Sequence, residues 1–180
     1  MGAPRYGRRV RVVEVLVSVV LAAVAWFALG PVPAMIPALA VAAVGPTLVR
    51  VDLAEHRLPN RMVVPAIAAG GVGFVLSWVV YGEFPLVPLL AALIYSGALF
   101  VLALFGGMGM GDVKLAAALG LASPTLAIAI GSPLIAFLLG GIVALIVLIR
   151  SGRGGRIAFG PSLVAGYAGA LLLAAGQRVL

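Results

Sequence analysis

Seven apolar runs fill the chain, at about 12–29, 32–49, 62–81, 86–105, 113–130, 133–150 and 159–176. A helix rises about 1.5 Å per residue, so a run of about 20 apolar residues crosses the roughly 30 Å hydrocarbon core of a bilayer. Short joints of Gly and Pro separate several of the runs: Gly30-Pro31, Gly82 to Pro85, and Gly131 to Pro133. Four polar interruptions hold nearly all the charge: the N-terminal tail, residues 50–61, Gly106 to Lys114, and residues 150–158. The pattern predicts an all-α fold, a polytopic transmembrane helix bundle of about seven spans. It leaves no room for an aqueous module, so residues 1–180 read as a single membrane-embedded domain.

Composition supports this. The chain is 64% hydrophobic and 9% charged, against about a quarter charged in soluble domains. The net charge of +7 does not indicate a nucleic-acid partner, because the basic residues stand between apolar runs and not along one face. Membrane topology accounts for them better. With the N-terminus cytoplasmic, seven crossings place Arg5, Arg8, Arg9, Arg11, Arg50, Arg57, Arg61, Lys114, Arg150, Arg153 and Arg156 on the inner side. That is eleven of the twelve basic residues, with Arg178 outside, as the positive-inside rule expects. The first run, with its preceding arginines and Ala23-Val24-Ala25, also has the layout of a secretory signal; the orientation of the other helices is the same either way. Trp26, Trp78 and Tyr81 fall near the expected outer boundary, where aromatic belts occur.

The chain has no cysteine and one histidine, His56. Disulfides, thiolate metal sites and cysteine nucleophiles are thereby excluded, and no metal site or cofactor is expected. Chemistry must come from the five acidic residues. Glu14 lies near the start of the first helix and Glu83 in an outer loop. Asp52, Glu55 and Asp112 all map to the cytoplasmic surface. Asp52 and Asp112, sixty positions apart, would reach one depth on one face. A paired-carboxylate hydrolase needs this: one carboxylate ionised to activate water, the other protonated to donate to the scissile carbonyl. Proximity supplies the split, because like charges about 3 Å apart do not both ionise. Which residue is acid and which base stays open.

Asp112 closes the stretch Gly106-Gly107-Met108-Gly109-Met110-Gly111-Asp112. Bare backbone at Gly109 and Gly111 admits a close-lying substrate strand. Asp112 also suits a helix cap. Asn60 reads as a cap for the third helix after Pro59. Lys114 either biases Asp112 toward its ionised form, contacts a substrate carbonyl, or anchors the helix at the headgroups. Glu55 either pairs with Arg57 or holds a basic substrate segment. The glycines Gly70, Gly71, Gly73, Gly140 and Gly141 permit close helix packing.

Asp52 followed by Arg57-Leu58-Pro59-Asn60, then Gly109-Met110-Gly111-Asp112-Val113-Lys114-Leu115, and finally Ile157-Ala158-Phe159-Gly160-Pro161-Ser162-Leu163, resembles the prepilin peptidases, membrane aspartic proteases that process type IV and Flp-type pilins. The three motifs occur in the family's order. The resemblance implies removal of a short basic leader from a prepilin at the cytoplasmic face, typically after a glycine, with Asp52 and Asp112 catalytic. The Gly-x-Gly-Asp element is also similar to that of presenilin and signal peptide peptidase. Longer members carry a cytosolic insert after the first helix, often with paired cysteines, linked to N-methylation of the pilin. Here about two residues join the first two runs, so peptidase activity without methyltransferase activity is expected. The resemblance places the chain in a bacterial or archaeal cytoplasmic membrane, with a prepilin-like protein as substrate; the oligomeric state is left open. A small proton-coupled transporter or channel is the alternative, since carboxylates in membrane proteins often mark ion paths.

Overall fold

A computed structural model describes residues 8–105, 108–151 and 157–179. Among these residues there are seven helices and no strand: α1 (Arg8–Leu29), α2 (Met35–Glu55), α3 (Asn60–Tyr81), α4 (Leu86–Leu104), α5 (Met110–Leu121), α6 (Leu126–Ser151) and α7 (Gly160–Val179). Helices α1, α2, α3, α4 and α6 are long and apolar enough to span a membrane. Helix α7 has 20 residues but opens on Gly-Pro-Ser and closes on Gln177 and Arg178. Helix α5 has only 12 residues, about 18 Å of rise, and does not span by itself. Large apolar side chains such as Phe27, Val79, Ile94, Leu138 and Ile149 point away from the bundle. A surface of this kind is stable in lipid and not in water. The chain is a polytopic helical membrane protein.

The expected boundaries of the fifth and sixth runs shift. The break falls at Ala122 to Thr125, and the predicted joint Gly131 to Pro133 lies inside α6. Pro124 disfavours helical geometry at Ser123. The Thr125 Oγ1 then accepts a hydrogen bond from the Ile128 N–H at 3.4 Å, opening the new helix. Pro133 removes one backbone hydrogen bond from a helix packed extensively on α7, a loss that helix neighbours in membranes tolerate. Helices α2 and α3 likewise carry Pro46 and Pro65 inside them.

The short helix α5 is the central strut. It packs on α4 most extensively, and also on α3, α2 and α7. Seven of its twelve residues are buried. Small residues make this packing possible, because lipid supplies no hydrophobic drive between helices and close contact must replace it. At Gly120 an added Cβ would collide with the N and Cα of Ala92 on α4. The far end of α5 is pinned by the Tyr167 hydroxyl of α7, which donates to the Ala122 carbonyl at 2.7 Å. Of the five glycines read as packing positions, Gly70 meets Leu121, Gly73 meets Pro37 and Gly140 meets Phe159, while Gly71 and Gly141 face open space.

Because the obstruction at Gly120 is backbone and not a movable side chain, Gly120→Ala should force α5 away from α4. The expected loss is about 1–3 kcal/mol, read as a lower unfolding temperature in detergent. Gly97→Ala, where nothing lies within 4 Å, should leave that temperature unchanged.

Helices α6 and α7 run antiparallel, with Gly131 against Ala170 and Gly140 against Phe159. This brings the first residue of α7, Gly160, to the end of α2 that carries Asp52.

Candidate active site

Asp52 lies in the last turn of α2 and is 3% exposed. Helix α2 therefore continues past the expected boundary at 49 and contains the residue expected just beyond it. The turn closes through His56, whose backbone is left-handed (φ 48°, ψ 41°) and whose N–H donates to the Asp52 carbonyl at 2.8 Å. The side chain turns inward. Its Oδ2 accepts a hydrogen bond from the Gly160 N–H at 2.8 Å. Gly160 begins α7, so Asp52 sits at the positive end of that helix's dipole, where anions are favoured. A Cβ on Gly160 would lie 2.8 Å from Asp52 Oδ2, so only glycine leaves room for this contact.

Asp112 occupies the first turn of α5 and is 8% exposed. Gly109 is the residue before the helix, and its N–H donates to Asp112 Oδ2 at 3.3 Å. Asp112 thus caps from the third helical position, with Gly109 and not Asp112 as the N-cap residue. The other oxygen, Oδ1, is buried with no hydrogen-bond partner among the described residues. Burial, and next the neighbouring Asp52 carboxylate, push Asp112 from 3.8 up to about 6. The second cause shows that the two acids are within electrostatic reach, although α2 and α5 are far apart in the chain.

The remaining expected residues divide. Lys114 donates from Nζ to Asn60 Oδ1 at 3.0 Å, tying α5 to the start of α3. Asn60 does not cap α3 as expected. Pro59 precedes the first helical residue and Asn60 is already inside α3, with no side-chain cap, because its side-chain oxygen is turned to Lys114. Gly111 serves packing on one side, since a Cβ there would lie 2.7 Å from Leu58 Cβ, and it stays half-exposed. Gly109 remains exposed. Glu55 and Arg57 are exposed and form no ion pair with each other. Gly106, Gly107 and the basic residues Arg5, Arg153 and Arg156 lie outside the described residues.

Several contributors were not singled out from sequence. Glu14 of α1 pairs with Arg50 of α2. Its signal was available, since a charge inside an apolar run calls for a partner. The Gly160 N–H left no such signal, being a backbone group. Tyr95 and Ser132 are buried, and the Tyr95 hydroxyl is turned toward Ser132 without completing a hydrogen bond.

The helical membrane bundle thus buries two acids, Asp52 and Asp112, within electrostatic reach of each other. A sequence model described as the type IV leader peptidase family matches residues 39–149. The chain belongs to that family of peptidases, as its motifs led one to expect. The match includes Asp52 and Asp112 and stops before Gly160. No curated protein and no solved structure matches the chain.

Proposed function

We propose that the protein is an aspartic endopeptidase that removes the basic leader of prepilin-like proteins at the cytoplasmic face of a bacterial or archaeal membrane, with Asp52 and Asp112 as its catalytic pair. The observation that carries this is the convergence of two buried carboxylates from α2 and α5, within electrostatic reach of each other. Family membership supports the peptidase reading. Asp52, held as an acceptor by the Gly160 N–H, takes a proton from water as that water attacks the scissile carbonyl carbon. Asp112, the acid that holds its proton up to about 6, donates to the carbonyl oxygen. The tetrahedral intermediate then collapses, the C–N bond breaks, and a proton passes to the leaving nitrogen.

The basic residues described at this end of the bundle, including Arg50, Arg57, Arg61 and Lys114, support placing it in the cytoplasm. Methyltransferase activity is not proposed, since only a short joint links α1 to α2 where longer members carry their insert. The transport reading gains nothing: Asp52 and Asp112 stand at helix ends and Glu14 is paired.

The test is co-expression with a prepilin bearing a short basic leader. A shortened pilin supports the reading; an unprocessed pilin together with ion flux in proteoliposomes overturns it. Glu55, exposed three positions beyond Asp52, is available to the leader's positive charge. Glu55→Gln should raise KM about two- to fivefold, the size of one exposed ion pair, and leave kcat unchanged.

A further inference from the structure

The link between α2 and α3 is only four residues, His56 to Pro59. Left-handed geometry at His56, uncommon outside glycine, turns the chain sharply back. Leu58 is thereby carried between the two elements that hold the acids. Its near end lies against α5 one residue before Asp112, where a Cβ on Gly111 would come within 2.7 Å of Leu58 Cβ. Its far end lies against α7, where a Cβ on Gly160 would come within 3.3 Å of Leu58 Cδ2 and 2.8 Å of Asp52 Oδ2. One side chain thus touches the backbone that carries Asp112 and the backbone that holds Asp52. The Lys114–Asn60 hydrogen bond fastens α5 to the start of α3, directly after this link.

We propose that Leu58 is the spacer that sets the separation of the two carboxylates, a positioning residue that acts through Gly111 and Gly160. The inference rests on the paired-carboxylate reading above. The separation matters in two ways. A water must sit between both groups, and an error of about 1 Å in such a geometry lowers rate about 100-fold. The interaction between the two acids also weakens as they part, so their two apparent titrations depend on the spacing.

The experiment uses the full chain in detergent with a prepilin substrate. It measures kcat, KM, the pH dependence of kcat and the unfolding temperature. Leu58→Ala, which keeps the contact with Gly111 and loses the one with Gly160, should lower kcat about 10- to 100-fold with KM within about threefold. Its pH profile should broaden, as carboxylates brought closer by the loss of the spacer repel more. Leu58→Met, of similar reach, should restore kcat and profile. An unchanged kcat overturns the proposal, and so does a change in KM alone, which would make Leu58 a substrate contact. A faster enzyme overturns it too, by making Leu58 a stopper that substrate displaces. A loss of rate that follows the unfolding temperature with an unchanged pH profile reduces Leu58 to filling. Should Leu58→Ala not fold, Leu58→Val, shorter by one methylene, poses the same question to the pH profile. The dyad reading fails separately, if Asp52→Asn or Asp112→Asn still cleaves.

Discussion

Asp52→Asn and Asp112→Asn should each stop leader cleavage, by about 10²- to 10⁴-fold or more, without removing the protein from the membrane. Asparagine has nearly the shape of aspartate and keeps a carbonyl oxygen, so at position 52 it can still accept from the Gly160 N–H and at position 112 from the Gly109 N–H. What it lacks is a carboxyl group that exchanges a proton. If Asp52 is the base, an amide at position 52 leaves water unactivated; if Asp112 is the acid, an amide at position 112 leaves the scissile carbonyl oxygen without its proton. The readouts are the mobility of the pilin on a gel and the amount of peptidase in the membrane fraction. Cleavage by either variant at a rate near wild type would remove that residue from the mechanism.

The same substitution at position 112 should stabilise the fold, and the gain should depend on pH. Burial and the Asp52 carboxylate raise Asp112 from 3.8 to about 6. The folded protein therefore holds this proton more tightly than the unfolded chain, and stability falls as pH rises from about 4 through about 6. A difference of about two units corresponds to about 3 kcal/mol by pH 7, at about 1.4 kcal/mol per unit. Asp112→Asn carries no charge at either pH and escapes that loss. Its unfolding temperature in detergent should exceed the wild type's at pH 7 and approach it near pH 4. A residue that only capped α5 would show the reverse, since removing a charge from a helix's first turn weakens it. An inactive variant more stable than its parent would mark Asp112 as a group kept in an unfavourable place for its chemistry.

Much of this was legible in the chain. Long apolar runs divided by Gly, Pro and charge indicate helices in lipid without reference to any contact, because in a bilayer each helix must satisfy its own backbone. That Asp52 and Asp112 come within electrostatic reach was legible too, since so few acids exist and charge places these at one face. Errors arose where a local signal had two uses. Gly131 to Pro133 looks like a joint, yet Pro133 is carried inside α6 by its packing on α7, and the break moved to Pro124. Asn60 looks like a cap, yet Lys114 of a distant helix claims its side chain. Gly111 looks like an open approach for substrate, yet Leu58 packs against one side of it.

The sequence by itself determined a helical membrane protein, the helix order, the acids available for chemistry and the family to which they belong. These follow from residue type and spacing, which lipid constrains one segment at a time. Only the tertiary structure decided that α5 is a short buried strut, that α7 begins where its first N–H meets Asp52, and that Leu58 lies against both the start of α5 and the start of α7. Such contacts join backbone groups and glycine surfaces far apart in the chain, and those groups have no side chain whose type or period could announce the partner.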